Sequence, residues 1–270
     1  MALKDIRFLP AKARHALKRG LKRTARAIGY DIVRYHSDPI ARRAHPQDFT
    51  PHHISILSEV GPYTLTSPER IFSLIEAVTH VARQNIPGAI VECGVWRGGS
   101  MMATALTLRS MNRSDRDLYL FDTFEGMTRP QDVDIHASGQ AAMTEFVEEQ
   151  RGEDSSAVCY ASLDEVKSAM ARTGYDPARV HFIRGKVEET IPSQAPESIA
   201  LLRLDTDWYE STRHELEHLY PRLSPGGILI IDDYGDWQGA RKATDEFLAN
   251  HAPGLFLSRI DDTGRLAVKP

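Results

Sequence analysis

The apolar positions of this chain follow a regular alternation from residue 67 onward. Short apolar runs, typical of buried strands, alternate with stretches whose apolar residues lie three and four positions apart, which is typical of helices. This pattern predicts strands at residues 89–91, 118–121, 180–183, 199–204, 228–231, 255–260 and 265–269, and helices at 100–111, 163–172, 211–219 and 240–248. A further helix is predicted to begin at Ser67-Pro68-Glu69. The predicted fold is α/β, with a mostly parallel seven-stranded sheet and helices on both faces.

The first 62 residues follow a different pattern and are predicted to form a separate region. Residues 12–34 combine helical apolar spacing with many Lys and Arg side chains, so they predict a basic helix. Residues 36–62 contain four prolines and predict a linker. We therefore divide the chain into a basic N-terminal extension with its linker, residues 1–62, and an α/β domain, residues 63–270.

Charge is distributed unevenly between these two regions. Residues 1–44 carry twelve Lys and Arg against three Asp, a net charge of +9, and the remaining residues carry 21 basic and 34 acidic side chains, a net charge of −13. The basic helix at 12–34 predicts either peripheral contact with an anionic membrane surface or packing against the body or a second subunit. The acidic body argues against a nucleic-acid partner. With two cysteines and no secretory signal pattern, the chain is predicted to be cytoplasmic, with association at the inner membrane surface as an option.

A glycine-rich turn follows the first predicted strand and indicates a ligand at that point. Residues 92–100 read Glu-Cys-Gly-Val-Trp-Arg-Gly-Gly-Ser, and Gly94 and Gly98 allow a tight turn with close approach of a ligand to the backbone. Ser100 is predicted to cap the helix that follows. An acidic residue at the end of the strand, Glu92, would repel a diphosphate but suits a cationic ligand such as S-adenosylmethionine. A structural turn without a ligand is the alternative interpretation.

Two further strand ends support a nucleoside ligand. Asp122 ends the second strand, 23 residues beyond Gly99, at the spacing of an acid that hydrogen-bonds ribose hydroxyls. Gly185 follows the third strand, where the adenine edge is expected. In a parallel sheet these strand ends lie at the same edge, where ligands bind.

Four carboxylates follow the fourth and fifth strands and predict a metal site. Asp205 and Asp207 come after one strand, and Asp232 and Asp233 after the next. Clustered like charges are costly without a cation, and oxygen ligands without Cys or His favour a hard ion, Mg²⁺ or else Mn²⁺ or Ca²⁺. Such an ion would hold adjacent hydroxyls of a substrate and lower the pKa of one of them. The alternative is a set of solvated acids that cap helices.

The motifs together resemble the macrocin O-methyltransferase family, whose members include Mg²⁺-dependent methyltransferases of macrolide and aminocoumarin sugars. The resemblance runs from about Tyr63 to about Phe247, and the basic segment before residue 60 lies outside it. It is carried by Tyr63-Thr64, Ser67-Pro68-Glu69-Arg70, the run 91–100, Asp122-Thr123-Phe124-Glu125-Gly126, Leu204-Asp205-Thr206-Asp207, Tyr209-Glu210-Ser211 and Ile231-Asp232-Asp233-Tyr234. Thr206 and Trp208 depart from the family pattern, which often has glycine and a smaller apolar residue there.

The resemblance implies a Rossmann-like class I methyltransferase and a role for each motif residue. It implies Asp205, Asp232 and Asp233 as ligands of Mg²⁺ and Asp207 as the general base. It also implies cofactor contacts around Glu92, Gly94, Ser100 and Asp122, with Tyr63 and Thr64 closing over S-adenosylmethionine. The expected acceptor is a sugar hydroxyl of a small molecule or a glycolipid, and the expected assembly is a homo-oligomer.

Three other functions fit parts of the sequence. Asp205-Thr206-Asp207 is a D-x-D motif, which a metal-dependent nucleotide-sugar glycosyltransferase would use. A methyltransferase of catechols or phenols also uses a metal and adjacent hydroxyls, and aromatic residues around the acceptor pocket would favour it. A non-catalytic adaptor would act through the basic extension instead.

Overall fold

The computed structural model describes residues 45–270, of which residues 48–270 form one compact unit. The basic helix predicted at residues 12–34 lies outside the described residues. Within residues 45–270, no helix is long and apolar enough to cross a membrane.

A seven-stranded sheet forms the centre of the unit, in the order β5-β2-β1-β6-β7-β9-β8. The first five strands of that order are parallel, whereas β9 runs antiparallel to β7 and β8 antiparallel to β9. Its strands are β1 (Ala89–Cys93), β2 (Leu118–Asp122), β5 (Val180–Arg184), β6 (Ile199–Leu204), β7 (Leu223–Ile231), β8 (Ser258–Arg259) and β9 (Arg265–Val268). The predicted mostly parallel seven-stranded sheet is confirmed. The order in which the strands are added reverses at β1, and ligand crevices form at such a point in these sheets.

Helices cover both faces of this sheet. They are α1 (Pro51–Val60), α2 (Pro68–Arg83), α3 (Gly99–Ser110), α4 (Ala142–Glu148), α5 (Leu163–Arg172), α6 (Val187–Thr190), α7 (Tyr209–Leu219) and α8 (Gln238–His251). Alternate strand residues point to opposite faces, so Ile90 packs with α1, α2, α3 and α5, while Val91 packs with α7 and α8. The strands are buried on both faces, which explains why they read as continuous apolar runs.

The linker prediction is wrong for part of residues 36–62, because α1 lies within them. Thr50 caps this helix and Pro51 stands at its first position, where proline is favoured since its missing N–H needs no partner there. Ile56 and Val60 are buried in the same core as α2 and α3. The prolines suggested a linker, yet one of them marks the start of a helix.

Helix starts were predicted correctly in two places and incorrectly in one. Ser67 caps α2, and Ser162 forms the predicted capping box with Glu165 at α5. The prediction that Ser100 caps α3 is wrong, because Gly98 takes the cap position with a left-handed φ of +85° and Ser100 lies inside the helix. A glycine at the cap allows the sharp entry that the preceding loop requires.

The segment between β2 and α5 contains elements that the apolar pattern did not predict. It holds α4 and a short antiparallel hairpin of β3 (Gln150–Gly152) and β4 (Ser155–Ser156). We call residues 123–161 the insertion. Backbone pairing between His136 and Trp237 joins it to the loop after β7, at the carboxyl end of the parallel strands.

Candidate functional site

The loop after β1 lies so close to the loop after β6 that a side chain at residue 94 would not fit between them. Gly94 has a φ of +79°, and a Cβ at this position would overlap the backbone carbonyl of Asp205. Its N–H donates to the carbonyl of Phe121 at 2.8 Å. Gly94 therefore sets the width of the crevice between β1 and β6, and only glycine meets both the backbone angle and the contact.

Asp122 holds this loop in place through its carboxylate. One oxygen accepts from the backbone N–H groups of Val95 at 2.8 Å and Trp96 at 3.2 Å, and the other accepts from Phe124 at 2.7 Å. Burial raises the pKa of Asp122, and these three donors oppose the rise. The acid predicted to contact ribose thus also fixes the backbone of the glycine-rich turn.

Two cavities lie at this end of the sheet, and Asp205 lines both. We call the one that Asp122 lines the Asp122 cavity, and the one that Trp237 lines the Trp237 cavity. Of the predicted cofactor residues, the Asp122 cavity is lined by Gly94, Asp122 and Gly185, and the Trp237 cavity by Tyr63, Thr64 and Ser100. Of the remaining predicted cofactor residues, Glu92 is buried in β1, and Gly98 is the cap residue before α3.

The predicted closing segment packs directly on the first turn of α3. A Cβ on Gly99 would lie 2.5 Å from the carbonyl oxygen of Tyr63 and 2.7 Å from the Cβ of Thr64. Because Gly99 has no side chain, the Tyr63-Thr64 backbone reaches the helix and forms one wall of the Trp237 cavity.

A buried arginine, Arg203, connects three of the predicted site residues. Its guanidinium donates to Glu92, to Asp205 at 2.6 Å and to Asp232 at 2.5 Å. Burial raises the pKa of Glu92 to about 7 even though Arg203 opposes the rise. The Oε2 atom of Glu92 is buried and has no hydrogen-bond partner among residues 45–270. Such an atom is a candidate acceptor for a cationic ligand group.

Asp232 is paired with two arginines. Its Oδ1 accepts from Arg203, and its Oδ2 accepts from Arg70, which also lies 3.1 Å from Asp261. Asp232 is 3% exposed, so this pairing offsets the cost of burying its charge.

The other three carboxylates come together in one cluster. Oxygens of Asp205, Asp207 and Asp233 all lie within 4.8 Å of one another. Burial raises the pKa of Asp207 to about 6 and raises the pKa values of Asp205 and Asp233 well above their usual range, and neighbouring aspartates add to each rise. Oxygen donors at this spacing fit a hard divalent cation such as Mg²⁺. We call these three residues the acidic cluster.

The backbone at Asp207 is unusual and is held from outside its own loop. Asp207 has a φ of +68°, a left-handed angle that is uncommon for residues other than glycine, asparagine and aspartate. Its N–H donates to Asp233 at 3.2 Å. The next two residues are fixed by the insertion, since Trp208 Nε1 donates to the carbonyl of Thr128 at 3.0 Å and the N–H of Tyr209 donates to Asp134 at 2.8 Å.

The sequence reasoning missed Arg203, Arg70 and Asp134 as site residues. Arg203 could have been found, because a charged residue inside the apolar run 199–204 needs a buried partner. Asp134 is 1% exposed and caps α7 from a distant part of the chain, so no local pattern indicated it.

Comparison with known proteins identifies the family. Residues 11–267 match the family described as Macrocin-O-methyltransferase (TylF). The chain belongs to this family. It is therefore an enzyme, an O-methyltransferase, and the glycosyltransferase and adaptor alternatives are wrong. The match to the macrocin O-methyltransferase family begins at residue 11, so the expectation that the basic segment lies outside the resemblance is also wrong.

Individual relatives are named as O-methyltransferases, and the name of one of them includes a rhamnosyl group. The chain is 35% identical over 202 residues to the 8-demethyl-8-(2,3-dimethoxy-alpha-L-rhamnosyl)-tetracenomycin-C 4'-O-methyltransferase of Streptomyces olivaceus, covering 75% of this chain and 74% of that protein. It is 31% identical to the mycinamicin III 3''-O-methyltransferase of Micromonospora griseorubida, with 75% and 76% covered. The solved structure of the O-methyltransferase NovP superposes with a TM-score of 0.66 at 30% identity, covering 77% of this chain and 82% of that one.

Proposed function

We propose that this enzyme transfers the methyl group of S-adenosylmethionine to a hydroxyl of a sugar, either in a glycosylated small molecule or in a glycolipid. The observation that carries the proposal is the acidic cluster, Asp205, Asp207 and Asp233, which lies beside the glycine-rich loop of a methyltransferase sheet. The name of the relative from Streptomyces olivaceus, which includes a rhamnosyl group, supports a sugar acceptor.

The cofactor is proposed to lie across the carboxyl ends of β1, β2 and β5. The Asp122 cavity would receive the nucleoside, with Asp122 at the ribose and Gly185 near the adenine. Glu92 would accept from the cationic amino-acid part, and its buried Oε2 without a partner among the described residues supports this role. The other proposed contacts are Tyr63, Thr64, Gly94, Gly98 and Ser100.

The acidic end is proposed to hold Mg²⁺ and the general base. Asp205, Asp232 and Asp233 are the ligands that the family pattern implies, and we propose Asp205 and Asp233 first. Asp205 pairs with one arginine, Arg203, whereas Asp232 pairs with two and would bind the ion only if Arg70 and Arg203 release it. A bound Mg²⁺ would lower the pKa of an acceptor hydroxyl. Asp207 would take the proton of that hydroxyl, and its burial beside other aspartates, which raises its pKa, makes its carboxylate a stronger base.

A catechol or phenol acceptor is the second candidate, because aromatic side chains border the Trp237 cavity. Trp96 and Trp237 line it, and the ring of Trp208 packs against Trp237. The same cavity is lined by five carboxylates, however, which suits a ligand with several hydroxyls better than a flat apolar ring. They are Asp205, Asp207, Asp232, Asp233 and Asp236.

The N-terminal extension is proposed to contact an anionic membrane peripherally, and the enzyme is proposed to act in the cytoplasm as a homo-oligomer. The net charge of +9 over residues 1–44 supports the membrane contact. Cosedimentation with phosphatidylglycerol vesicles would test it, with phosphatidylcholine vesicles and a chain lacking residues 1–44 as controls. Equal binding to both vesicle types would contradict the membrane contact.

The decisive experiment combines a binding titration with an acceptor screen. Calorimetry with S-adenosylmethionine and S-adenosylhomocysteine is expected to show binding that Asp122→Ala weakens, because this change removes the ribose contact and three loop hydrogen bonds. Thermal unfolding of the variant separates weakened binding from unfolding, and Asp115→Ala, at a 76% exposed side chain, is the control. Methyl transfer is then measured with methyl α-L-rhamnopyranoside and with catechol, with and without Mg²⁺. Methylation of catechol alone would overturn the sugar proposal.

A further inference from the structure

Trp237 is an aromatic residue that lines the same cavity as the acidic cluster. It is the residue before α8, it is half-buried, and it lines the Trp237 cavity together with Asp207 and Asp233. The cavity therefore has carboxylates on one part of its wall and an indole on another. A ligand that fits such a wall has hydroxyl groups on one side and an apolar surface on another.

The orientation of Trp237 is fixed by its neighbours. The ring of Trp208 meets it edge to face, with centroids 4.9 Å apart and planes at 80°, and the ring of His136 does the same at 5.2 Å and 73°. The backbone directly after Trp237 is also held, since the N–H of Gln238 donates to the carbonyl of Ile135 at 2.9 Å. A side chain that is already ordered loses little conformational entropy when a ligand packs on it.

Trp208 is one of the two residues that depart from the family pattern, and its position explains what the larger side chain does. Trp208 is 7% exposed, and its indole N–H is satisfied by the carbonyl of Thr128. It does not line the Trp237 cavity but packs behind Trp237. The additional aromatic volume thus supports Trp237 rather than contacting a ligand.

Trp96 also lines this cavity but does not offer the same surface. It belongs to the loop after β1, where Asp122 fixes its backbone, and the guanidinium of Arg97 lies over its ring at 5.0 Å from the centroid. One face of Trp96 is therefore in contact with a cation, and its loop belongs to the proposed cofactor side.

We propose that the indole of Trp237 is the platform on which the apolar C–H face of the acceptor sugar ring packs, with hydroxyls of the same ring directed at the acidic cluster. The inference rests on the proposed function and identifies the acceptor class as a pyranoside with one C–H face free to pack. Aromatic rings present a negative face, and the C–H bonds of a pyranose are the groups that it attracts. Trp237 is then a specificity-determining residue, and Trp208 and His136 are positioning residues.

Fluorine NMR of protein labelled with 5-fluorotryptophan tests the contact directly. The chain has three tryptophans, so three resonances are expected, and the variants Trp96→Phe, Trp208→Phe and Trp237→Phe assign them. Methyl α-L-rhamnopyranoside is titrated into protein saturated with S-adenosylhomocysteine and Mg²⁺. The Trp237 resonance is expected to shift most. A larger shift of the Trp96 resonance, or no shift at concentrations where methylation proceeds, would overturn the platform.

Kinetics with the same pyranoside provide the second test. Trp237→Leu is expected to raise the acceptor KM about tenfold, with kcat changed by less than about twofold, because a platform binds the ground state and the transition state alike. Trp237→Phe keeps a flat ring and is expected to raise the acceptor KM less. Trp208→Met loosens the packing behind Trp237. It is expected to raise the acceptor KM by an amount between those of Trp237→Phe and Trp237→Leu. Phe256→Ala, at an 81% exposed ring, is the control and is expected to change neither constant.

The outcomes separate this inference from the proposed function. If the wild-type enzyme methylates the pyranoside and Trp237→Leu leaves the acceptor KM unchanged, the platform is wrong and the proposed function stands. If the wild-type enzyme methylates catechol and no pyranoside, the proposed function and the platform are both wrong.

Discussion

Asp232 and Asp233 are adjacent in the chain, yet their carboxylates lie in opposite electrostatic surroundings. Asp232 accepts from Arg203 and Arg70, so its charge is balanced within the protein. Asp233 lies in the acidic cluster, where Asp207 and Asp205 raise its pKa further above the level that burial alone gives. The two side chains are 3% and 6% exposed, so the difference is one of partners rather than burial.

This difference shows where the fold lacks positive charge. Buried carboxylates that have arginine partners hold the strand ends together, whereas those without them either bind protons or require a cation. Within the acidic cluster, Asp205 is paired with Arg203, whereas Asp207 and Asp233 have no arginine partner among residues 45–270. A metal ion bound at the acidic cluster would therefore complete the charge balance.

Asp207→Asn is expected to reduce kcat for methyl transfer by about 10²- to 10⁴-fold, because the amide cannot accept the acceptor proton. Asparagine also tolerates the left-handed backbone that Asp207 adopts, so the fold is expected to persist. Steady-state kinetics would measure the loss, and calorimetry with S-adenosylhomocysteine serves as the control for an intact cofactor site. A kcat within threefold of wild type would exclude Asp207 as the base.

Asp233→Asn and Asp232→Asn form a matched pair that separates the two environments. Asp233→Asn is expected to raise the Mg²⁺ concentration needed for half-maximal activity by about 10- to 100-fold. The loss of a hydrogen-bond partner of a metal ligand already has an effect of about this size, and the loss of a ligand has at least the same effect. Asp232→Asn is expected to lower the free energy of unfolding by about 3 kcal/mol, because it weakens the pairing of buried Arg203 and of half-buried Arg70. Activity against Mg²⁺ concentration and urea unfolding are measured for both.

The contrast between Asp232 and Asp233 fails if both variants change the Mg²⁺ requirement equally while their unfolding free energies match that of the wild type. That result would make Asp232 the third ligand implied by the family pattern. It would also mean that Arg70 and Arg203 release this carboxylate when the ion binds.

Asp134→Ala is expected to have the smallest effect, a loss of about 1 kcal/mol in unfolding free energy with a severalfold fall in kcat. It removes the acceptor for the N–H of Tyr209 and so frees the turn that carries Asp207. Ser162→Ala is the matched control, because it removes a similar cap from α5, away from the acidic cluster. An equal fall in kcat for both variants would show that Asp134 acts only through stability.

Most of the fold follows from the sequence because its strands are buried on both faces. The apolar run 199–204 was placed to the residue, and β7 was predicted at 228–231 although it begins at Leu223, since Pro225 and the two glycines after it hide its first half. Helix α4 and the β3–β4 hairpin were missed because they lie in the insertion, where few apolar residues are buried. Helix α1 was missed because the four prolines of residues 36–62 dominated the pattern.

The site could be predicted only as far as strand ends determine it. Parallel strands bring their carboxyl ends to one edge, so the proximity of Glu92, Asp122 and the four aspartates followed from the topology. The pairing of carboxylates with arginines depends on side-chain packing between α2, β6 and β7. The periodicity of the sequence does not indicate this packing. For the same reason, the contact of Trp237 with Trp208 and His136 could not be predicted from the sequence.

The close approach of Gly239 to Asp134 has an evolutionary consequence. A Cβ at residue 239 would overlap Oδ1 of Asp134 and come within 3.0 Å of the backbone nitrogen of Tyr209. A side chain at 239 would therefore displace the Asp134 carboxylate from the N–H of Tyr209, although 105 positions separate the two residues in the chain. A homologue with a bulkier residue at 239 would have to hold its base-bearing turn by other means.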